Sequence, residues 1–96
     1  MAAEVRHERD HRRFVATVGD DEAFVSYELR VDGVLVIEHT FTPLNLRGRG
    51  IAREVVRAAL DYARSAGYRV DPVCWYAARF IARHPEYQDL LVPAGP

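Results

Sequence analysis

A chain of 96 residues with a formal net charge of −1 has room for one modest core and lacks the basic surplus of a general nucleic-acid binder, so residues 1–96 read as a single domain. Half of it is apolar and about a quarter charged, the balance of an ordinary globular protein. One cysteine, Cys74, excludes an internal disulfide and a cysteine-rich zinc site and suits a reducing cytoplasm.

Near the start, Arg6, Glu8, Arg9 and Asp10 stand where a signal peptide needs an apolar stretch, and no run downstream is long enough for a membrane span. Val5 to Glu8 can form a short strand. His7-Glu8-Arg9-Asp10-His11 matches the H-E-x-x-H zinc signature, which requires a helix with apolar neighbours and a further ligand downstream. Arg6 to Arg13 contains no apolar residue, so a charged, exposed connection is expected and no metal site.

Arg13 to Val18 and Ala23 to Val31 are rich in β-branched and aromatic residues, with Gly19-Asp20-Asp21-Glu22 between them as a turn. Asp32-Gly33 predicts a tight hairpin into a third long strand, Val34 to Thr42, which Pro43 ends. Alternation along that strand puts Glu38 and Thr40 on one face and His39 and Phe41 on the other.

From Arg49 to Ala66 the period becomes helical. Arg53, Arg57, Asp61 and Arg64 make a polar stripe, and Ile51, Val55, Ala59, Tyr62 and Ala66 an apolar one. Gly67 stands at the expected helix end. Tyr68 to Trp75 then reads as an edge strand carrying Pro72, Tyr76 to His84 as a short helix stopped by Pro85, and residues 92–96 as a frayed tail.

The start of the long helix carries the functional signal. A helix N-terminus leaves backbone N–H groups unpaired and is partially positive, so acidic or hydroxyl caps are usual there. Here Arg47, Arg49 and Arg53 gather instead, and no acidic residue precedes Glu54. Cations at that end make sense if an anion, most simply a phosphate, joins them; Gly48 and Gly50 would let backbone amides approach it closely. The alternative is a plain strand-to-helix turn with solvated arginines. No Gly-Lys-Ser/Thr follows, and Arg53 occupies the third-glycine position of a dinucleotide fingerprint, so both of those phosphate motifs are excluded.

Asn45-Leu46-Arg47-Gly48-Arg49-Gly50-Ile51-Ala52 resembles the coenzyme-A loop of the GNAT N-acetyltransferases, Q/R-x-x-G-x-G/A, with Asn45 departing from the usual Gln or Arg. Together with His39 to Pro43, Pro72 to Tyr76 and His84 to Tyr87, it resembles the minimal single-domain branch of that family over about residues 5–91. The resemblance implies an α+β fold with a GNAT-like mixed β-sheet, an antiparallel meander plus a splayed parallel strand, and two helices. It implies acetyl-CoA as cofactor. Pantetheine would lie in the splay against backbone groups of Phe41 and Thr42, and the pyrophosphate on the loop from Asn45 and Leu46 through Arg47, Gly48, Arg49, Gly50, Ile51 and Ala52.

Full-size members carry two helices between their first strands, where this chain has tight turns. The acceptor side is therefore expected to be open, which suits an amine on a protein or peptide. A monomer is the simplest expectation.

Acetyl transfer needs a base for the amine and a proton for the leaving thiolate. Glu38 or His39 can serve as base; His39 can equally be a satisfied structural histidine. Cys74, near the expected splay, is either a covalent carrier of the acetyl group or a small hydrophobe lining the pocket. The family's general pattern is direct transfer, which favours the second role. Tyr76 is a candidate acid, or a packing residue. Arg79 and Arg83, at i and i+4, can reach nucleotide phosphates or form a solvated face. A non-catalytic acyl-CoA-binding or interaction module with the same fold is the competing reading.

Overall fold

The computed structural model describes residues 4–93. Five strands form one mixed sheet in chain order: β1 (Val5–Glu8), β2 (Arg13–Val18), β3 (Asp21–Leu29), β4 (Val34–Phe41) and β5 (Arg69–Pro72). The first four run antiparallel, and β5 joins β4 in parallel across the helix α1 (Ile51–Ala66). A shorter helix, α2 (Trp75–Ala82), and a 3-10 turn over Pro85–Leu90 follow. The α+β architecture is the expected one, with β1 as the additional short strand.

Helix α1 forms because its apolar residues recur at helical spacing and because both ends are set by glycine. Gly67, at φ 80°, turns the chain out of the helix. Its amide bonds Arg64 O at 3.2 Å and that of Tyr68 bonds Ala63 O at 2.8 Å, which satisfies terminal carbonyls. Ile51, Val55, Val56, Ala59, Leu60 and Ala63 are buried, each Val, Leu or Ile contributing about 1.5–3 kcal/mol. They meet Val25, Tyr27, Leu35, Ile37 and Val70 from the sheet, with Ala77, Phe80 and Ile81 from α2. The expected stripe was narrower and ended on Ala66, which is exposed.

The structure corrects several further expectations. The strand expected to run from Tyr68 to Trp75 is only Arg69–Pro72, because Pro72 has no N–H and the chain turns just beyond it, where Val73 N bonds Asp71 O at 3.1 Å. The loop between β3 and β4 spans Arg30 to Gly33, closed by Arg30 N to Val34 O at 2.8 Å and Gly33 N to Arg30 O at 3.1 Å. The tail is tied as far as Val92, whose amide bonds Val70 O at 3.0 Å; residues 94–96 of the expected frayed tail lie outside the described residues.

The H-E-x-x-H segment is also more than an exposed connection. His7 lies on β1, is partly buried, and stacks on Phe14 with ring centroids 4.0 Å apart. Its Nε2 meets the Tyr27 hydroxyl, and Tyr62 packs edge-on at 4.6 Å. His11 is exposed, in the 3-10 turn between β1 and β2.

Burial holds the His7 imidazole below its ordinary value of 6.5, and nearby Arg9 lowers it further. The unfolded chain therefore binds a proton here that the folded chain refuses. The contribution of His7 to stability is complete above about pH 6.5 and declines as pH falls toward the depressed folded value. Glu8, Asp32 and Asp89, lowered by Arg13, Arg30 and Arg64, lose their contributions only in stronger acid. Urea midpoints of the wild type are expected to fall between about pH 8 and about pH 5, and His7→Gln to flatten that decline. Parallel pH curves for the two proteins would show that His7 is not its source.

Candidate functional site

The parallel pairing of β4 with β5 ends at Ile37 and Pro72. Beyond it one backbone bond remains, from Cys74 N to Ile37 O at 3.0 Å, and the two chains part. One side of the opening is the end of β4; the other is Cys74, Trp75 and Tyr76 at the start of α2. The loop leading into α1 closes the third side, and a cavity of about 660 Å³ lies between them, within the size range of small-molecule sites.

A β-bulge shapes this opening. Ser26 pairs with His39 but Tyr27 pairs with Ile37, so Glu38 is the extra residue of β4. Regular alternation would carry the core-facing phase of Leu35 and Ile37 on to His39 and Phe41. The bulge passes it to Thr40 and Thr42 instead, and both line the cavity. Phe41 falls on the other face, packed on Phe24 at 5.5 Å. Thr40 Oγ1 thereby comes within 3.4 Å of Cys74 Sγ.

At the loop end, Pro43 leads into a 3-10 turn over Leu44–Leu46, and Leu46 is buried in the core. Gly48 and Gly50 take φ of 82° and 77°, backbone that L side chains rarely adopt. Gly50 is the N-cap of α1, and no side chain caps the helix. Its first bond runs from Glu54 N to Gly50 O at 3.2 Å; helix geometry leaves the amides of Ile51, Ala52 and Arg53 without intrahelical partners. A Cβ on Gly50 would come within 2.7 Å of Arg53 Nη2, so that guanidinium lies folded over the helix start. Arg47 and Arg53 line the cavity, and no Asp or Glu does. Unpartnered amides and two guanidiniums are the groups that an anion pairs with.

At the other end Cys74 does not lie near the end of a strand, as the expected run from Tyr68 to Trp75 had it, but is the N-cap of α2. Burial pushes its thiol up, yet the Thr40 hydroxyl and the amides of Ala77, Tyr76 and Thr40 outweigh burial and hold it below the ordinary thiol value. No formed cap bond ties Sγ to the helix, so those amides act by facing it. Burial raises the Tyr76 phenol, with Arg53 opposing. Tyr76 therefore stays protonated at neutral pH while Cys74 carries more thiolate than a free cysteine.

Of the residues singled out in the sequence, Thr42, Leu46, Arg47, Gly48, Gly50, Ile51, Ala52, Cys74 and Tyr76 line this cavity. Glu38, His39, Phe41 and Arg49 are exposed and do not. Asn45 is exposed too, its side-chain amide donating to Asp21 Oδ2 at 2.6 Å. Arg53, one of the three arginines gathered at the helix start, lines it as well, and Thr40 and Trp75 join the lining without having been expected there. A known bulge would have announced Thr40. Arg79 and Arg83 are exposed, away from the lining. Among the described residues no group of three or more His, Cys, Asp or Glu side chains could hold a metal ion, and no helix is long and apolar enough to cross a membrane.

Comparison with known proteins places this geometry. Protein NATD1 of Bos taurus is 33% identical over 93 residues, covering 93% of this chain and 82% of its own. Protein NATD1 of Gallus gallus is 31% identical over 94 residues, covering 94% and 86%. The solution structure of a GCN5-like protein from Staphylococcus aureus superposes with a TM-score of 0.70, covering 97% of this chain and 91% of that one; at 18% identity it supports the fold alone. The profile of the GCN5-related N-acetyltransferases matches residues 13–90. The profile match over most of the chain and these relatives show that the chain belongs to the GCN5-related N-acetyltransferase family.

Proposed function

We propose that this protein is an acetyl-CoA-dependent N-acetyltransferase whose acceptor is an amine on a protein or peptide, working in the cytoplasm. The observation that carries the reading is the cavity that joins an arginine-lined, uncapped helix start to a thiol and a phenol. Loop amides, Arg47 and Arg53 would hold the pyrophosphate. The β4 edge beyond Ile37 would run beside pantetheine, and the thioester would come to lie near Thr40, Cys74 and Tyr76. The acetyl carbon moves from sulfur to nitrogen; the amine gives up a proton and the departing thiolate gains one, with no change of oxidation state. Tyr76, kept protonated by burial, is suited to supply that proton.

The acceptor class follows from what the fold omits. A two-residue turn joins β2 to β3, and among the described residues His39 and Phe41 leave their face of β4 exposed. An uncovered face admits a large substrate. A second reading, cofactor binding without chemistry, is favoured by one observation: Glu38 and His39, the candidate bases, stand outside the cavity. Release of free thiol from acetyl-CoA separates the two. With a panel of peptides bearing free N-termini or lysines, at least one is expected to raise thiol release well above the acceptor-free rate. Binding of acetyl-CoA with a flat response to every peptide and to polyamines would establish the second reading instead.

A further inference from the structure

The family pattern calls for Gln or Arg at the position of Asn45, and this chain uses the shorter side chain differently. Asn45 donates to Asp21 Oδ2 at 2.6 Å, and neither residue lines the cavity. Asp21 opens β3, immediately after the turn at Gly19 and Asp20. Because β3 and β4 are antiparallel and Phe24 pairs with Phe41, the first residues of β3 lie beside the chain leaving β4. That places the Asp21 carboxylate where the glycine loop begins.

We propose that Asp21, acting through Asn45, is a positioning residue for the phosphate-binding loop. The inference rests on the reading of that loop as the acetyl-CoA pyrophosphate site. A segment with two left-handed glycines is costly to order, and its amides serve an anion only when held in place. Three ties hold it: Asn45 to Asp21, Leu46 in the core, and Arg47 Nε to Thr42 O at 3.2 Å. The first is a side-chain hydrogen bond that ties the loop to β3.

The sign of the effect distinguishes this role from simple electrostatics. Removing a negative charge near the site of an anionic ligand strengthens binding by charge alone. Loss of the brace weakens it. The test measures CoA affinity by calorimetry for wild type, Asp21→Ala, Asp21→Asn, Asn45→Ala and the double alanine variant, with melting temperatures taken without CoA. Asp21→Ala and Asn45→Ala are each expected to weaken CoA binding roughly threefold to tenfold, the worth of about one net hydrogen bond to a charged group on an exposed loop. The double variant is expected to be no weaker than either single one, since both remove the same bond. Asp21→Asn, which keeps an acceptor for the Asn45 amide, is expected to retain wild-type affinity. Tighter or unchanged binding in Asp21→Ala, or strictly additive losses, would overturn the proposal while leaving the pyrophosphate reading intact. Absence of CoA binding by the wild type would remove that reading itself.

Discussion

Gly48→Asp is expected to abolish the stabilisation that acetyl-CoA gives the wild type. A ligand at a hundred times its Kd adds about 2.7 kcal/mol to the native state, roughly 10–20 °C in Tm for a domain of this size. Gly48 sits at φ 82°, and a Cβ built there meets nothing within 4 Å. The aspartate therefore fits sterically, and it places a carboxylate at a cavity edge whose charged residues are Arg47 and Arg53. The left-handed backbone adds a strain of about 1–2 kcal/mol, which lowers Tm without ligand. Gly48→Asn carries the same backbone demand without the charge, and it is expected to keep part of the acetyl-CoA shift. Equal shifts in wild type and Gly48→Asp would show that the cofactor phosphates do not use this loop.

How much of this could be read without coordinates differs from element to element. The meander, α1 and the glycine loop were legible because local chemistry decides them: alternation, helical spacing, and glycines that admit positive φ. The misplaced arginines pointed to an anion for the same local reason, and the structure puts Arg47 and Arg53, though not Arg49, on the cavity. The bulge at Glu38 was not legible. Val34 to Thr42 alternates without a break on paper, and only pairing with β3 shows that one residue is extra. That single slip sends His39 and Phe41 away from the cavity and Thr40 and Thr42 into it.

Cys74 was misplaced for a related reason. Cysteine is not among the usual N-cap residues, so nothing local announced that α2 begins one residue after it. The burial of His7 depends on Phe14, Tyr27 and Tyr62, which come from three other elements and leave no mark on the charged run around it. The Asp21–Asn45 bond likewise joins residues far apart in sequence, and neither end is unusual in isolation.

Cys74→Ser is expected to lose nearly all acetyl transfer while keeping acetyl-CoA affinity. The family's general pattern of direct transfer would make Cys74 a bystander in the pocket wall, but three observations favour the proposal of a chemical part. It lines the cavity, its sulfur lies 3.4 Å from the Thr40 hydroxyl, and its thiol is held below the ordinary value against the opposing pull of burial. In the proposed step the Cys74 thiolate attacks the acetyl carbon, the carbon–sulfur bond to CoA breaks, and the departing thiolate takes the Tyr76 proton. An amine then attacks the acetyl-Cys74 thioester, the thiolate of Cys74 is restored, and the proton shed by nitrogen returns to Tyr76. A serine hydroxyl has a far higher pKa and supplies almost no anion at neutral pH, so the rate should drop by a factor on the order of a hundred or more. Acetyl-CoA alone should leave one acetyl mass on Cys74 that hydroxylamine removes, formed at least as fast as turnover. If Cys74→Ser keeps most of its rate and no adduct forms, the amine attacks the bound thioester directly. The base would then be found by asking which of Glu38→Gln and His39→Ala removes the acidic limb of the pH–rate profile.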